Sequence, residues 1–354
     1  MYTWNVLVKR FHISVPARPR VKYPVIVDPQ ALEELPAFLE TIHDVDRFVI
    51  LYDAGLTKIA DQVAQRIEGA ARVAVPSGET SKSVVQVERI VQDLLLAQTS
   101  RRSVLINIGG GMVMDLGGFV ASVFMRGIRY VNIPTSLMGM VDAAIGGKVY
   151  VNAGPMKNMI GHVWHPQAVI IDVDILAGMP DRLLREGLTE VVKMAVVLDG
   201  EFFGWLEEHI DPLLEGDRAV FTKTIEHAVR LKAEVASGTE EGGRRMLLNF
   251  GHTIGHALEA LTNFKLTHGQ TVSIGMVCEM AIIDFPDRQR VCALLETLGM
   301  PVHLPLDTDV RAVWDIMRND KKAVGGDVRI AVPMRLGDGR VQSLQRDVFL
   351  KHVG

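Results

Sequence analysis

The chain has 354 residues, of which 48% are hydrophobic and 23% charged, and its formal net charge is −4. This composition is typical of a globular protein and excludes a disordered or fibrous chain, while so mild a charge gives no reason to expect nucleic acid or a membrane as a partner. With two cysteines, no signal-peptide layout and no apolar run of about 18 residues, we expect a cytoplasmic protein without disulfides.

Short β-rich runs alternate with helical patterns in the first half of the chain. Each run is almost continuously apolar, as in strands that are buried on both faces. Such strands, alternating with helices, predict a largely parallel sheet of the doubly wound α/β type. The predicted strands are Arg47–Tyr52, Arg72–Val75, Ser103–Ile108, Arg129–Ile133 and Ala168–Ile171, and the helix between the second and third is Glu79–Gln98.

The second half of the chain has mainly helical periodicity. We therefore predict two domains, an α/β domain over 1–178 and a mainly helical domain over 179–354, with the ligand site in the cleft between them. The predicted helices are Asp181–Leu198, Glu201–Glu215, Asp217–Ser237, His252–Leu261 and Gln270–Ile283.

A glycine-rich turn follows the third predicted strand. The strand ends at Ile108 and runs into Gly109-Gly110-Gly111, after which a helical pattern begins. Glycines at a strand-to-helix turn let backbone N–H groups approach a pyrophosphate closely. A tight turn that only needs glycine's backbone freedom explains the motif equally well, so the turn alone does not identify a nucleotide site.

Three imidazoles fall within one short span, at His252, His256 and His268. The first two are four residues apart, which places them on one face of a helix. Upstream, Glu190 and Lys193 are three apart and also share a helical face. Imidazole and carboxylate groups suit Zn²⁺, so this set predicts a catalytic metal site, although an isolated pair of histidines is more often a surface or supporting feature.

Cationic residues cluster around the glycine turns and the candidate metal ligands. Any single lysine is more often solvated, but this grouping fits a substrate that carries phosphate and carboxylate groups. Asp142 caps a helix or orients a group in the site. The cations are Arg126, Lys148, Lys157, Lys193, Lys232, Arg245 and the pair Lys321-Lys322.

Taken together, these motifs resemble the dehydroquinate synthase family of sugar phosphate cyclases. The resemblance rests on S-G-E-T-S-K (77–82), G-G-G-M-V-M-D (109–115), F-M-R-G-I-R, I-P-T-S-L-M-G-M-V-D-A-A-I-G-G-K and V-N-A-G-P-M-K-N-M-I-G. It continues through G-L-T-E-V-V-K-M, R-M-L-L-N-F-G-H-T-I-G-H-A-L-E-A, T-H-G-Q and N-D-K-K, in family order from about residue 40 to 335.

The resemblance implies bound NAD and a divalent metal, Zn²⁺ first and Co²⁺ second, in a homodimer that acts on a phosphorylated sugar acid. It implies that Glu190, His252 and His268 hold the metal. The implied substrate and catalytic residues are Asp142, Lys148, Asn158, Lys193, Lys232, Glu241, Arg245, Asn249, His256 and Lys322, with Arg126 reaching in from a neighbouring subunit. The implied NAD contacts are Asp53, Glu79, Lys82, Gly110, Gly111, Met112, Asp115, Thr135, Ser136, Lys148 and Lys157.

The implied reaction is a shikimate-pathway step of aromatic amino-acid biosynthesis. It converts 3-deoxy-D-arabino-heptulosonate 7-phosphate to 3-dehydroquinate and phosphate, with NAD reduced and regenerated within each turnover. The alternatives are a secondary-metabolism cyclase that acts on an amino analogue or on sedoheptulose 7-phosphate, a metal-dependent polyol or glycerol phosphate dehydrogenase, and a binding protein without turnover. Asn249 and Lys322 favour a substrate that carries a carboxylate.

The chain departs from the family pattern at four places. Met114 replaces a glycine, and we expect its side chain to crowd the cofactor turn. Val149-Tyr150 and Ala153-Gly154 replace other residues of the lysine-rich motif, and a threonine is absent near Ala177. These departures bear on cofactor affinity and on substrate identity, and they leave the predicted fold unchanged.

Overall fold

The computed structural model describes residues 21–154, 156–237, 243–263, 265–318 and 328–353. Within these ranges, six parallel strands form one sheet in the order β1-β8-β5-β4-β2-β3. Their bounds are Val25–Asp28 (β1), Phe48–Asp53 (β2), Ala71–Val75 (β3), Val104–Gly109 (β4), Arg129–Pro134 (β5) and Ala168–Asp172 (β8).

Helices cover this sheet, as expected for strands without a polar face. All six residues of β4 and all five of β8 are buried. The helices of this part are Leu35–Glu40 (α1), Thr57–Ala64 (α2), Val84–Leu96 (α3) and Gly111–Val123 (α4). The predicted helix Glu79–Gln98 is shorter than expected, because Ser83 caps α3 through the N–H of Gln86 and a short 3-10 turn precedes it.

The order of the strands reverses between β2 and β4. From β2 the chain moves outward to β3 and then returns to the other side of β2 to form β4. In an open parallel sheet, a crevice that binds ligands forms beyond the carboxyl ends of the strands at such a switch point. Asp53 ends β2 and Gly109 ends β4, so the glycine turn lies at this crevice.

The later part of the chain is mainly helical. A small hairpin of Lys148–Ala153 (β6) and Met156–Val163 (β7) lies between the two parts, and a second hairpin is formed by Val328–Arg335 (β9) and Asp338–Leu344 (β10). The helices are Asp181–Leu198 (α5), Gly200–Leu214 (α6), Arg218–Ser237 (α7), His252–Leu261 (α8), His268–Ile282 (α9), Arg288–Thr297 (α10), Val310–Arg318 (α11) and Arg346–Val353 (α12).

The predicted fold class, a doubly wound α/β sheet followed by a helical part, is confirmed. The five predicted strands and the five predicted helices of the second half are present, with ends that differ by up to two residues. The division at 178/179 stays a prediction. None of the helices in the described ranges combines the length and the apolar character that a bilayer crossing requires.

Candidate active site

Three predicted metal ligands converge from three helices. Glu190 lies within α5, whereas His252 and His268 are the first residues of α8 and α9. Glu190 Oε1 lies 3.6 Å from His252 Nε2 and 3.5 Å from His268 Nε2. This oxygen is buried and accepts no hydrogen bond from the described protein groups. A buried, unsatisfied carboxylate oxygen that faces two imidazole nitrogens suits a divalent metal such as Zn²⁺ or Co²⁺, so these residues fit the implied group.

Hydrogen bonds fix the orientation of both ligand rings. Nδ1 of His252 lies 3.1 Å from the carbonyl oxygen of Phe250, and Nδ1 of His268 lies 2.8 Å from Oε1 of Glu259. When Nδ1 donates to these acceptors, Nε2 of each ring carries the lone pair that a metal needs. The two rings are therefore held with their ligating atoms toward Glu190.

A second group of donors, His256, Glu259 and His268, also lies within 4.8 Å. In this group Nδ1 of His268 is already engaged by Glu259, so the group with Glu190 is the better metal site. The ring of His256 lies 5.3 Å from that of His252 and 6.0 Å from that of His268, between ring centroids. His256 therefore lies beside the triad, where the family resemblance places it.

The charges within this group stabilise one another. Burial alone would raise the pKa of Glu259, but the hydrogen bond and charge of His268, together with the charge of Lys157, lower it to about 2. Burial would lower the pKa of His268, but the neighbouring carboxylates of Glu190 and Glu259 raise it to about 9. Glu259 is therefore ionised across the neutral pH range.

Close contact between α8 and α9 brings two of the ligands together. A Cβ atom added at Gly275 would lie 1.9 Å from the carbonyl oxygen of Gly251, and one added at Gly255 would lie 2.9 Å from that of Thr271. Gly251 adopts a left-handed conformation, with φ +75°, immediately before His252. Its N–H donates to Glu279 Oε2 at 2.7 Å. These small residues set the spacing between the two histidine-bearing helices.

Cations and a carboxylate lie next to the triad. Lys193 Nζ is 2.5 Å from Glu190 Oε2, and both side chains are 1% exposed. Asp142, in a short π-helical turn over Gly139–Ala143, accepts a hydrogen bond from Lys232 on α7. Burial would raise the pKa of Asp142, but Lys232 and Lys193 outweigh it and hold the pKa below its usual value. Two ammonium groups and an ionised carboxylate thus lie together beside Glu190.

Three further predicted substrate residues lie on segments next to these groups. Arg245 Nη2 donates to Gly146 O at 3.3 Å, so its guanidinium lies at the glycine turn that leads into β6. Lys148 is exposed at the start of β6, and Asn249 ends the 3-10 turn that precedes α8. The structure therefore brings these residues to the region between the hairpin and the triad.

The glycine turn after β4 lies at the carboxyl edge of the sheet. Gly110 is the N-cap of α4 and no side chain caps this helix, so the first N–H groups of the helix are left for an anionic ligand. The N–H of Thr135 donates to Gly109 O at 2.8 Å, and Ser136 Oγ would lie 3.2 Å from a Cβ added at Gly110. This arrangement fits the expected pyrophosphate contact, with Met112 in the first turn of α4.

The neighbouring strand ends complete this edge. Asp53, at the end of β2, accepts hydrogen bonds from the N–H of Gly55 at 2.9 Å and from the Ser77 hydroxyl. The turn containing Ser77 leads to Glu79 and Lys82. The predicted NAD contacts from four separate segments therefore meet at the switch point of the sheet.

A polar network connects this edge to the β6–β7 hairpin. Lys82, 5% exposed, donates to Asp115 Oδ2 at 2.6 Å and to Asn158 Oδ1 at 2.5 Å. Asn152 donates to Glu79 Oε1 at 3.0 Å, and its own Oδ1 accepts from the N–H of Asn158 at 3.0 Å. Asn152 was not among the predicted residues. Its place in the V-N-A-G-P-M-K-N motif is the signal that could have identified it.

Two predicted residues lie in unexpected surroundings. Lys157 Nζ is 3.2 Å from Glu259 Oε2, so it contacts the helical part of the protein. Arg126 is exposed in the turn after α4, where it and Met125 have positive φ angles of 66° and 48°. Glu259 itself was not predicted, although His252, His256 and Glu259 follow the i, i+4, i+7 pattern of one helical face.

The expectation that Met114 crowds the cofactor turn is wrong. Its side chain is 1% exposed and packs in the same apolar cluster as Leu137 and Leu188. A side chain so deeply buried leaves no surface for a cofactor, because hydrophobic packing turns it toward the core.

The other departures lie mainly in the hairpin. Val149 is buried against α4, where a Cβ added at Gly118 would lie 2.4 Å from its Cγ1. Gly154 adopts φ +57° at the turn of the hairpin, in open space. Tyr150 pairs with Gly161 across the hairpin and, like Lys148, lies on the face of β6 opposite Val149. The charges of Asp115, Asp142 and Arg245 act on Tyr150, so among these departures Tyr150 is the one that lies near predicted site residues.

Two predicted residues, Glu241 and Lys322, lie outside the described residues. Apart from Arg126, the remaining predicted site residues gather in two groups, one at the metal triad and one at the carboxyl edge of the sheet. Their functional assignment stays a prediction.

Comparison with protein families gives two consecutive matches. The model described as "3-dehydroquinate synthase N-terminal" matches residues 72–186, and that described as "3-dehydroquinate synthase C-terminal" matches residues 187–323. A relative named 3-dehydroquinate synthase from Thermodesulfovibrio yellowstonii is 40% identical over 277 residues, which cover 76% of this chain and 77% of the relative. One of the same name from Rhodopirellula baltica is 38% identical and covers 85% and 84%.

Solved structures resemble the chain over nearly its whole length. The 2-epi-5-epi-valiolone synthase ValA of Streptomyces hygroscopicus subsp. jinggangensis, solved with NAD⁺ and Zn²⁺ bound, has a TM-score of 0.87 and 27% identity, covering 96% of this chain and 98% of ValA. A 2-deoxy-scyllo-inosose synthase, in complex with carbaglucose-6-phosphate, NAD⁺ and Co²⁺, has a TM-score of 0.84 at 20% identity and covers 93% and 95%. The second likeness concerns the fold alone.

Proposed function

The chain belongs to the 3-dehydroquinate synthase family, and on this premise we propose that it converts 3-deoxy-D-arabino-heptulosonate 7-phosphate to 3-dehydroquinate and inorganic phosphate. The observation that carries the proposal is the match of both family models in consecutive order, with the glycine turn in the first and Glu190, His252 and His268 in the second. The protein is then a phosphate-eliminating carbon–oxygen lyase of the shikimate pathway in the cytoplasm.

The triad and the sheet edge hold the two implied groups. A divalent metal on Glu190, His252 and His268 would supply Lewis-acid polarisation of a substrate oxygen, and NAD at the glycine turn would accept and return a hydride. The uncapped N-terminus of α4 would hold the pyrophosphate of NAD through its first N–H groups. The net reaction leaves NAD unchanged, so catalytic amounts of the cofactor are sufficient.

The cations bind the anionic ends of the substrate. Lys193 and Lys232 lie beside the triad, and Arg245 lies at the turn before Lys148, so they can hold phosphate and carboxylate groups on either side of the reacting carbons. Asp142 keeps the Lys232 ammonium in place. Such clamping keeps the substrate aligned through oxidation, elimination, reduction and ring closure.

The proposal is tested by comparing phosphate release from three substrates. The purified chain, with Zn²⁺ or Co²⁺ and catalytic NAD, is given 3-deoxy-D-arabino-heptulosonate 7-phosphate, its amino analogue or sedoheptulose 7-phosphate. We expect phosphate and 3-dehydroquinate from the first. Release only from one of the others would reassign the substrate, and net NADH formation from a polyol phosphate would overturn the cyclase assignment.

A valiolone-type cyclase is the second candidate. It is favoured by the likeness to ValA, which covers 96% of this chain at 27% identity. The sedoheptulose 7-phosphate arm of the comparison tests this candidate directly.

The metal assignment has its own test. His268→Ala removes one of three ligands, so we expect metal content to fall from about one equivalent to a small fraction while the far-ultraviolet circular dichroism spectrum is kept. Metal analysis after dialysis measures this. Full retention of metal would show that other residues hold it.

A homodimer is the proposed functional unit, in which Arg126 completes the site of the neighbouring subunit. Exposed apolar side chains support this arrangement, because such side chains often mark a protein–protein interface. Val123 and Met125 lie just before Arg126, whereas Met159 and Ile160 lie on β7, and each of the four is at least 40% exposed. Mixing Arg126→Ala with His268→Ala subunits tests it. Restored activity supports a site shared between subunits, whereas activity no higher than the sum of the two variants refutes it.

A further inference from the structure

Glu259 makes contacts that the proposed catalytic roles do not use. Its side chain is 2% exposed on α8. Oε1 accepts from His268 Nδ1 at 2.8 Å and from Thr271 Oγ1 at 3.4 Å, while Oε2 accepts from Lys157 Nζ at 3.2 Å. A buried carboxylate is expensive unless it is paired, and here both oxygens are paired with groups from different parts of the fold.

The first oxygen acts on a metal ligand. His268 can present Nε2 to Glu190 only if its ring keeps this orientation and its proton stays on Nδ1. The hydrogen bond to Glu259 satisfies both conditions, because an ionised carboxylate only accepts hydrogen bonds and so requires the proton to be on Nδ1. Without it, the ring is free to rotate or to move its proton to Nε2, which then cannot bind a metal.

The second oxygen acts on the cofactor side. Lys157 lies in β7, next to Asn158, whose Oδ1 accepts from Lys82. Lys82 in turn is paired with Asp115 in the first turns of α4, the helix that begins at the glycine turn. The segment Lys157-Asn158 therefore joins Glu259 to the predicted NAD site.

Two sets of polar contacts, joined by the peptide bond between Lys157 and Asn158, thus connect a metal ligand to the sheet edge. The first runs from His268 through Glu259 to Lys157, and the second runs from Asn158 to Lys82. Any shift of α8 that improves the fit of His268 to a metal also moves the carboxylate that holds Lys157. The contact between Glu259 and Lys157 therefore links the metal site to the predicted NAD site.

We propose that Glu259 is a positioning residue that orients His268 for the metal and, by holding Lys157, couples metal binding to NAD binding. The coupling rests on the proposed metal and NAD sites and deepens them. Because coupling between two binding sites is reciprocal, metal tightens NAD by the same factor by which NAD tightens metal, typically about 5- to 150-fold.

The test measures binding instead of turnover. The dissociation constant of NAD⁺ is measured by calorimetry for the metal-free protein and for the Co²⁺-loaded protein, and that of Co²⁺ by competition with a chelator. In the wild type we expect Co²⁺ to tighten NAD⁺ at least about fivefold. An equal NAD⁺ affinity with and without Co²⁺ overturns the coupling.

Glu259→Gln keeps the shape of the side chain and removes its charge. We expect it to weaken Co²⁺ binding by about 10- to 100-fold, to change the visible spectrum of bound Co²⁺ and to abolish the effect of metal on NAD⁺. Asp172→Asn is the matched control, since Asp172 is also a buried carboxylate and accepts its hydrogen bonds from the backbone N–H groups of Leu32 and Asp174, away from the metal ligands in the chain. We expect this control to keep the coupling factor. Wild-type Co²⁺ affinity and spectrum in Glu259→Gln overturn the positioning role.

Lys157→Met separates the coupling role of Glu259 from its role in orienting His268. It also keeps the proposal testable if Glu259→Gln does not fold. Lys157 is only partly buried, so its loss should leave the fold intact. We expect Co²⁺ affinity in the absence of NAD⁺ to stay within about twofold of the wild type, while the coupling factor falls toward one. A full coupling factor in this variant refutes the path through Lys157. Phosphate release by the wild type is recorded separately, so the proposed reaction and this inference can fail independently.

Discussion

Gly275→Ala should disrupt the metal site through packing alone. The added Cβ would lie 1.9 Å from the carbonyl oxygen of Gly251 and 3.0 Å from the N of Gly255, and neither is a flexible side-chain atom. Ordinary contact begins near 3.4 Å, so α8 and α9 must separate by about 1.5 Å. His252 begins one of these helices and His268 the other, so the separation also moves the two ligands apart.

Two opposing effects decide the change in stability. Alanine is favoured over glycine within a helix by about 1 kcal/mol. Overpacking of a well-packed interior costs about 1–3 kcal/mol, and backbone-to-backbone contact leaves no side chain to move aside, so the cost should lie at or above the upper end. We therefore expect a net loss of about 2 kcal/mol or more of unfolding free energy, together with a Zn²⁺ affinity reduced by more than tenfold.

Urea denaturation and competition with a zinc chelator measure these two quantities. Gly204→Ala is the matched control, because Gly204 lies within α6 and a Cβ added there meets nothing within 4 Å. This variant should be as stable as the wild type or up to about 1 kcal/mol more stable, with unchanged Zn²⁺ affinity. If Gly275→Ala behaves like Gly204→Ala, the close contact between the ligand-bearing helices is refuted.

Three further predictions concern buried groups. Lys82→Met should cost about 3–5 kcal/mol by leaving Asp115 unpaired, and adding Asp115→Asn should recover most of it in urea denaturation; a loss below about 1 kcal/mol would contradict the ion pair. Met114→Gly should lose about 3 kcal/mol or more without tightening NAD⁺, since the side chain lies in the core, and tighter NAD⁺ binding by calorimetry would restore the original expectation. In a thiol-titration assay Cys278, whose pKa burial raises to about 12, should stay unreactive in the native protein while the half-buried Cys292 reacts slowly; rapid reaction of both would contradict this burial.

The sheet and the long helices could be predicted because their signals are local. Continuous apolar runs identified the buried strands, and the 3.6-residue period gave α5 and α8 with their observed ends. Residue type and spacing narrowed the metal site to Glu190, His252, His256 and His268, and the family resemblance selected the triad from these four.

The β6–β7 hairpin could not be predicted in the same way. Most residues of β7 are exposed or half-buried, so the strand lacks the alternation of apolar and polar residues that marks a half-buried strand. Its turn depends on Gly154, whose positive φ is not visible in the sequence. Consequently the position of Tyr150 and the role of Asn152 became apparent only from the fold.

Glu259 and Met114 show where residue type misleads. Glu259 follows an ordinary helical A-L-E-A pattern, and its contacts with His268 and Lys157 exist only because α9 and the hairpin pack against α8. Met114 stands in a glycine-rich motif, yet burial of its apolar side chain decides where it points. In both cases tertiary packing sets the role, which a local pattern does not record.

The most direct test of the proposed function is the ratio of phosphate released to NAD supplied. The wild-type chain is loaded with Zn²⁺ and given excess 3-deoxy-D-arabino-heptulosonate 7-phosphate with a small, known amount of NAD⁺, while phosphate and the NADH absorbance are followed together. We expect many phosphates per NAD, with 3-dehydroquinate as product and no accumulation of NADH. Release that stops at one equivalent per NAD with matching NADH, or no release at all, would contradict it.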